Sequence, residues 1–221
     1  MLVLIGGFMT YSNMSKGVAE FVGTFFLTLT ILLAAVGEKA GVFAPIAIGL
    51  TLMVMIYALG YISGAHFNPA VSIGLFVKGD CSKEELPIYL LAQITAGLAA
   101  FVVGTQLIIN DVAITEKVFD NTISVIMSEA LFTFALVFVI INVATEQSGN
   151  QFYGAAIGLT VMAGAFTVGE ISLGSFNPAV TTMLVASGKM SLVDSWMHII
   201  PQLIGAIAAV YLHKTVMVAS E

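Results

Sequence analysis

The tripeptide Asn-Pro-Ala occurs twice, as Asn68-Pro69-Ala70 within GAHFNPAVS and as Asn177-Pro178-Ala179 within GSFNPAVTT. The two asparagines are 177 minus 68, or 109, residues apart in a chain of 221. Proline suits the first turn of a helix, where its missing N–H would have been unpaired anyway. Asparagine just before it suits the N-cap, with its side-chain oxygen accepting a backbone N–H. The amide nitrogen is then left free as an outward donor. Each copy thus offers a neutral hydrogen-bond donor beside the positive end of a helix. That chemistry orients an uncharged polar solute; it supplies no nucleophile and no metal ligand. The chain shows no Ser-His-Asp set and no phosphate loop, and His66, His198 and His213 lack metal-ligand spacing. A single cysteine, Cys81, excludes an internal disulfide. No catalytic residue, metal or cofactor is expected, so the protein reads as something other than an enzyme.

The elements that position these asparagines must lie in lipid. The residues are 59% hydrophobic and only 9% charged, with a mean hydropathy of +1.04. A soluble domain carries about 25% charged residues. The net charge of −6 comes without a basic stripe, so nucleic acid is not an expected partner. A bilayer core needs about 20 apolar residues per helix. Six stretches qualify, at 17–36, 44–62, 87–109, 122–143, 152–170 and 195–217. Two shorter apolar pieces, 68–77 and 177–186, begin at the Asn-Pro-Ala copies and are long enough to reach only halfway across.

The same offset of 109 relates Glu20 to Glu129, Gly49-Leu50-Thr51 to Gly158-Leu159-Thr160, and Gln93 to Gln202. The chain is therefore an internal repeat, with an N-terminal extension at 1–15, a first repeat at 16–112, a loop at 113–121 and a second repeat at 122–221. Three spans per repeat is an odd number, so the second repeat sits upside down relative to the first. The two half-helices then enter from opposite faces and point their N-termini at one spot. Irregular backbone at that depth requires a wet cavity, which predicts a water-filled path past Asn68 and Asn177. Four lysines against three lean towards a cytoplasmic N-terminus. The apolar stretch 1–9 lacks a basic leader, which argues against a cleaved signal peptide and leaves Met14 as an alternative start.

These residues resemble the major intrinsic proteins, the aquaporins and glycerol facilitators. The resemblance spans nearly the whole chain, from Glu20-Phe21-Val22-Gly23-Thr24 through Ser63-Gly64-Ala65-His66-Phe67-Asn68-Pro69-Ala70-Val71 to the sixth span. It implies an all-α membrane protein of six transmembrane helices and two re-entrant half-helices in an inverted repeat. It also implies a homotetramer with one pore per subunit. By the same resemblance, Glu20 and Glu129 accept backbone N–H groups of the re-entrant loops and turn the loop carbonyls to the pore. His66 is implied as a pore-lining donor to passing water.

The family's narrowest point comprises four positions, one of them an arginine directly after the second Asn-Pro-Ala. Here that residue is Val180, and all seven basic residues of the chain are lysines. The other three positions fall at Ile48, Ala165 and Gly174. This set matches neither the water-selective nor the glycerol-type pattern. Thr181 stands where glycerol facilitators carry aspartate, and Met197 and His198 stand where water channels carry an aromatic pair. Four small or aliphatic residues predict a wider, less polar constriction with one electrostatic barrier removed. A dry aliphatic ring can also dewet and hold water flux low. Glu170 reads either as a vestibule charge that draws ammonium or as a solvated helix end.

Three functions remain open on sequence. The first is a passive channel for water and small uncharged solutes, with membrane lipid as the surrounding partner. The second is a glycerol-, urea- or ammonia-preferring facilitator with little water flux. The third is an occluded structural membrane protein, against which the intact Asn-Pro-Ala copies argue.

Overall fold

A computed structural model describes residues 11–110, 113–147 and 149–217. The expected N-terminal extension falls largely outside the described residues. Eight helices follow in order: α1 Asn13–Ile31, α2 Ala44–Ser63, α3 Pro69–Lys78, α4 Glu85–Val103, α5 Thr122–Ile140, α6 Tyr153–Ser172, α7 Pro178–Ala186 and α8 Trp196–Leu212. With their terminal turns, six of them are long and apolar enough to cross a membrane. The other two, α3 and α7, have ten and nine residues. At 1.5 Å per residue they rise about 15 Å, half the hydrocarbon thickness.

The halves repeat in detail. Helix α1 packs on α4 as α5 packs on α8, and α2 crosses α6 between them. At that crossing Gly49 meets its repeat partner Gly158. A Cβ on Gly49 would stand 2.7 Å from the Gly158 carbonyl oxygen, and one on Gly158 would stand 2.5 Å from that of Gly49. Only glycine at both positions lets the backbones come this close. Helices α1, α4, α5 and α8 each run on into a π-helical turn, at Leu32–Val36, Gly104–Ile108, Ile141–Thr145 and His213–Met217. Small residues fill the seams: Ala96, Ala100 and Ala209 are fully buried.

Half-helix α3 stops where Gly79 turns left-handed, at φ 109°. Around this stop a polar clasp forms. Lys78 Nζ donates to Asp80 at 2.7 Å and to Glu146 at 2.8 Å. Glu146 also lies 3.3 Å from His213 Nε2, and Lys214 Nζ donates to the Val77 carbonyl at 2.8 Å. The clasp ties α3, the segment after α5 and the end of α8 together. Hydrogen bonding from Lys78 holds the Glu146 carboxyl below its usual range. Burial disfavours the charge on Lys78, but its bonds to Asp80 and Glu146 outweigh that and hold the ammonium above its ordinary value. Nearby Cys81 is buried, and desolvation pushes its thiol up to about 11. A thiol held neutral in this way is inert.

Candidate functional site

The two half-helix starts are near copies. Asn68 has φ −158° and ψ 119°, and Asn177 has φ −157° and ψ 116°. Each caps its own helix: Asn68 Oδ1 accepts from Ala70 N at 2.8 Å and Asn177 Oδ1 from Ala179 N at 2.9 Å. The amide nitrogens are not wholly free, however. Asn68 Nδ2 donates to the Phe176 carbonyl, and Asn177 Nδ2 donates to the Phe67 carbonyl, both at 2.8 Å. An amide nitrogen carries two hydrogens. One is spent across the repeat, which fixes the direction of the other. So each asparagine keeps a single, aimed donor rather than a loose pair.

The loops leading into the tips are bent against their residues' preference. Phe67 and Phe176 have φ of 49° and 48°, Ala65 and Gly174 of 53° and 57°, and Gly64 and Leu173 of 84° and 65°. A non-glycine residue in this region costs about 1–3 kcal/mol. Two fully buried carboxylates hold the bend. Glu20 accepts from Ser63 Oγ at 2.7 Å, His66 N at 2.9 Å, Phe67 N at 2.7 Å and Gln93 Nε2 at 2.8 Å. Glu129 accepts from Ser172 Oγ at 2.7 Å, Ser175 N at 3.1 Å, Phe176 N at 2.8 Å and Gln202 Nε2 at 2.8 Å. Bonds to a charged acceptor contribute about 1.5–3 kcal/mol each, enough to outweigh the strain. With the N–H groups turned to the glutamates, the carbonyls turn the other way. Among the described residues, the carbonyls of Gly64, Ala65, His66, Leu173, Gly174 and Ser175 find no protein donor.

Two members of this network escape a reading of the motifs. Tyr89 OH donates to the Ser63 carbonyl at 2.6 Å, and His198 Nε2 lies 2.8 Å from the Ser172 carbonyl. A carbonyl only accepts, so His198 carries its proton on Nε2. The repeat offset of 109 relates Tyr89 to His198, and that offset was the available signal. His66 is anchored similarly, with Nδ1 3.0 Å from Ser72 Oγ. Its Nε2 makes no side-chain hydrogen bond to another described residue.

One cavity of about 680 Å³ gathers these parts. Asn68, Asn177 and His66 line it, as do Ile48, Ala165, Gly174 and Val180, the four positions singled out in the sequence. Pro69, Ala70, Pro178 and Ala179 are buried behind the asparagines as the first turns of α3 and α7. At the mouth beyond Val180 the lining includes Glu38, Lys117, Glu170 and Lys189. Glu170 is exposed there, at the end of α6. Trp196, at 49% exposure, stands off the cavity at the start of α8, as an interfacial anchor would.

A family model described as "Major intrinsic protein" matches residues 8–162 and 117–221. The chain belongs to the major intrinsic protein family. Among similar proteins, a probable aquaporin of NIP type from Nicotiana alata is 32% identical over 92% of this chain and 78% of its own length. Aquaporin NIP1-4 of Oryza sativa subsp. japonica is 34% identical over 100% of this chain and 83% of its own. The X-ray structure of the aquaglyceroporin from Plasmodium falciparum superposes with a TM-score of 0.78 at 21% identity. It covers 93% of this chain and 97% of that one.

As a major intrinsic protein, the chain is a multi-pass membrane protein and a passive channel, not an enzyme. The geometry fits that role. Neutral amides, a serine-bound histidine and free carbonyls can take over the hydration of a polar molecule, and no bond need be made or broken. Among the described residues, no group of three His, Cys, Asp or Glu side chains is placed to hold a metal.

Proposed function

We propose that the protein conducts water and small uncharged solutes through the cavity that passes Asn68 and Asn177. A constriction at Ile48, Ala165, Gly174 and Val180 admits molecules larger than a strict water channel does. The observation that supports this reading most is the joint lining of one cavity by both asparagines and all four of those residues. None of the four carries a charge or a side-chain donor, so exclusion there rests on width and on loop carbonyls. Glu20 and Glu129 orient those carbonyls, and His66 adds a donor on the far side of the asparagines. Relatives named aquaporin and a neighbour named aquaglyceroporin are compatible with both water and larger neutral solutes.

Purified protein in liposomes tests the reading by stopped-flow light scattering with water, glycerol, urea and ammonia. Flux of at least one larger neutral solute beside water is expected. Passage of water alone would sink the wide-constriction reading, and no flux at all would favour an occluded structural role.

The exposed apolar helix faces and the family suggest a homotetramer, with a cytoplasmic N-terminus on the lysine balance. Native mass spectrometry and protease protection of sealed vesicles address these two points.

A further inference from the structure

The constriction holds no charge, yet one mouth of the same cavity does. Lys117 and Lys189 both line it, each half-buried. The Lys117 backbone N–H donates to the Lys189 carbonyl at 2.8 Å. This bond stitches the loop between the repeats to the turn just after α7, the half-helix that begins at Asn177. Two ammonium-bearing residues are thereby fixed side by side. Among the described residues, the ion pairs involve Lys16, Lys78, Lys83 and His213; Lys117 and Lys189 form none. Glu38 and Glu170 line the same mouth, but both are exposed. Salt screens exposed charges more than half-buried ones, so the two lysines weigh more on a passing ion than the two glutamates. From this rim inward to the asparagines, the lining residues are uncharged.

We propose that Lys117 and Lys189 form a charge filter at this mouth, which turns away cations before they reach an aliphatic constriction unable to do so. The proposal rests on the channel reading above. A neutral solute passes the rim unaffected. Its protonated or alkali-cation counterpart meets two positive charges that form no ion pair among the described residues. In this chain, discrimination between ammonia-type solutes and their cations would then sit at the loops rather than next to Val180.

The test uses the full-length protein in liposomes, with urea as the neutral probe and methylammonium and potassium as cation probes. Lys117→Gln with Lys189→Gln should leave urea flux unchanged. It should raise cation permeability roughly three- to fourfold near 10 mM ionic strength, as two charges about 10 Å away would in water. The difference should shrink at about 0.5 M salt, where the Debye length falls to a few ångströms. The arginine pair, Lys117→Arg with Lys189→Arg, should behave as wild type, and Glu38→Gln with Glu170→Gln should shift cation flux the opposite way. If the glutamine variant does not fold, raising salt on the wild-type protein must itself raise cation permeability relative to urea. Urea flux with a cation permeability indifferent to both substitution and salt overturns the charge filter. Absence of urea and water flux in the wild type would instead overturn the channel reading.

Discussion

Tyr89 and His198 are different residues doing one task. Each sits at the same place in its repeat, and each donates to the carbonyl of the serine that ends the preceding span, at 2.6 Å from Tyr89 and 2.8 Å from His198. That serine is Ser63 in one half and Ser172 in the other, and each serine Oγ donates to its glutamate. The tyrosine and the histidine therefore brace the loops from behind. Among the described residues, the buried His198 Nδ1 has no protein hydrogen-bond partner.

Replacing His198 with tyrosine should leave solute flux and thermal stability near wild type, since the hydroxyl can repeat what Tyr89 does. Leucine at the same position would strand the Ser172 carbonyl and cost about 1–3 kcal/mol. Thermal unfolding in detergent, run beside urea flux in liposomes, checks both variants. A leucine variant as stable as wild type would show that this bond carries no weight.

Glu20→Gln and Glu129→Gln should be comparably harmful. Each replaces a carboxylate with an amide whose NH2 must face backbone donors already aimed at it. A loss of about 2–4 kcal/mol is expected for either. Near-equal falls in Tm, with flux lost in both, would match the mirrored networks. A harmless Glu129→Gln beside a damaging Glu20→Gln would break the equivalence of the halves.

Val180→Arg places a long cation at a buried position on the cavity wall. Flux of glycerol and urea should fall first, with water retained better. Permeability ratios across the solute series measure it. Unchanged glycerol flux would mean that residue 180 does not border the narrow part of the path.

The clasp at Lys78 sets a pH window. The Glu146 carboxyl is held low, so its contribution is complete above the ordinary glutamate value of about 4.3 and is lost as pH falls through its lower folded value. Lys78 is held high, so its contribution is complete below about 10.4 and is lost as pH rises through its raised folded value. The Tm difference between wild type and Lys78→Met should therefore be flat across neutral pH and narrow at both extremes. A maximum confined to acid pH would contradict this.

Much of the architecture is legible in the sequence. The spans followed from hydropathy and length, and the half-helices from the proline at each N1 position. The offset of 109 placed Glu20, Gln93, Gly49 and their partners in matching roles. What stayed hidden depended on contacts between loops. The donation of Asn68 to the Phe176 carbonyl needs a left-handed bend at a phenylalanine, a conformation that sequence signals only through glycine. The Tyr89 and His198 pairing was masked because the residues are chemically unlike. The bond between Lys117 and Lys189 joins two loops of unremarkable composition, and nothing local announces it.

The crossed amide bonds also carry a historical implication. Asn68 is aimed in part by a carbonyl of the second repeat and Asn177 in part by a carbonyl of the first, so each donor is held jointly by both halves. A half-length polypeptide bearing one such element would be incomplete until it met a twin inserted in the opposite sense. Fusion of two copies into one chain would then have recorded an antiparallel partnership that the chemistry already demanded.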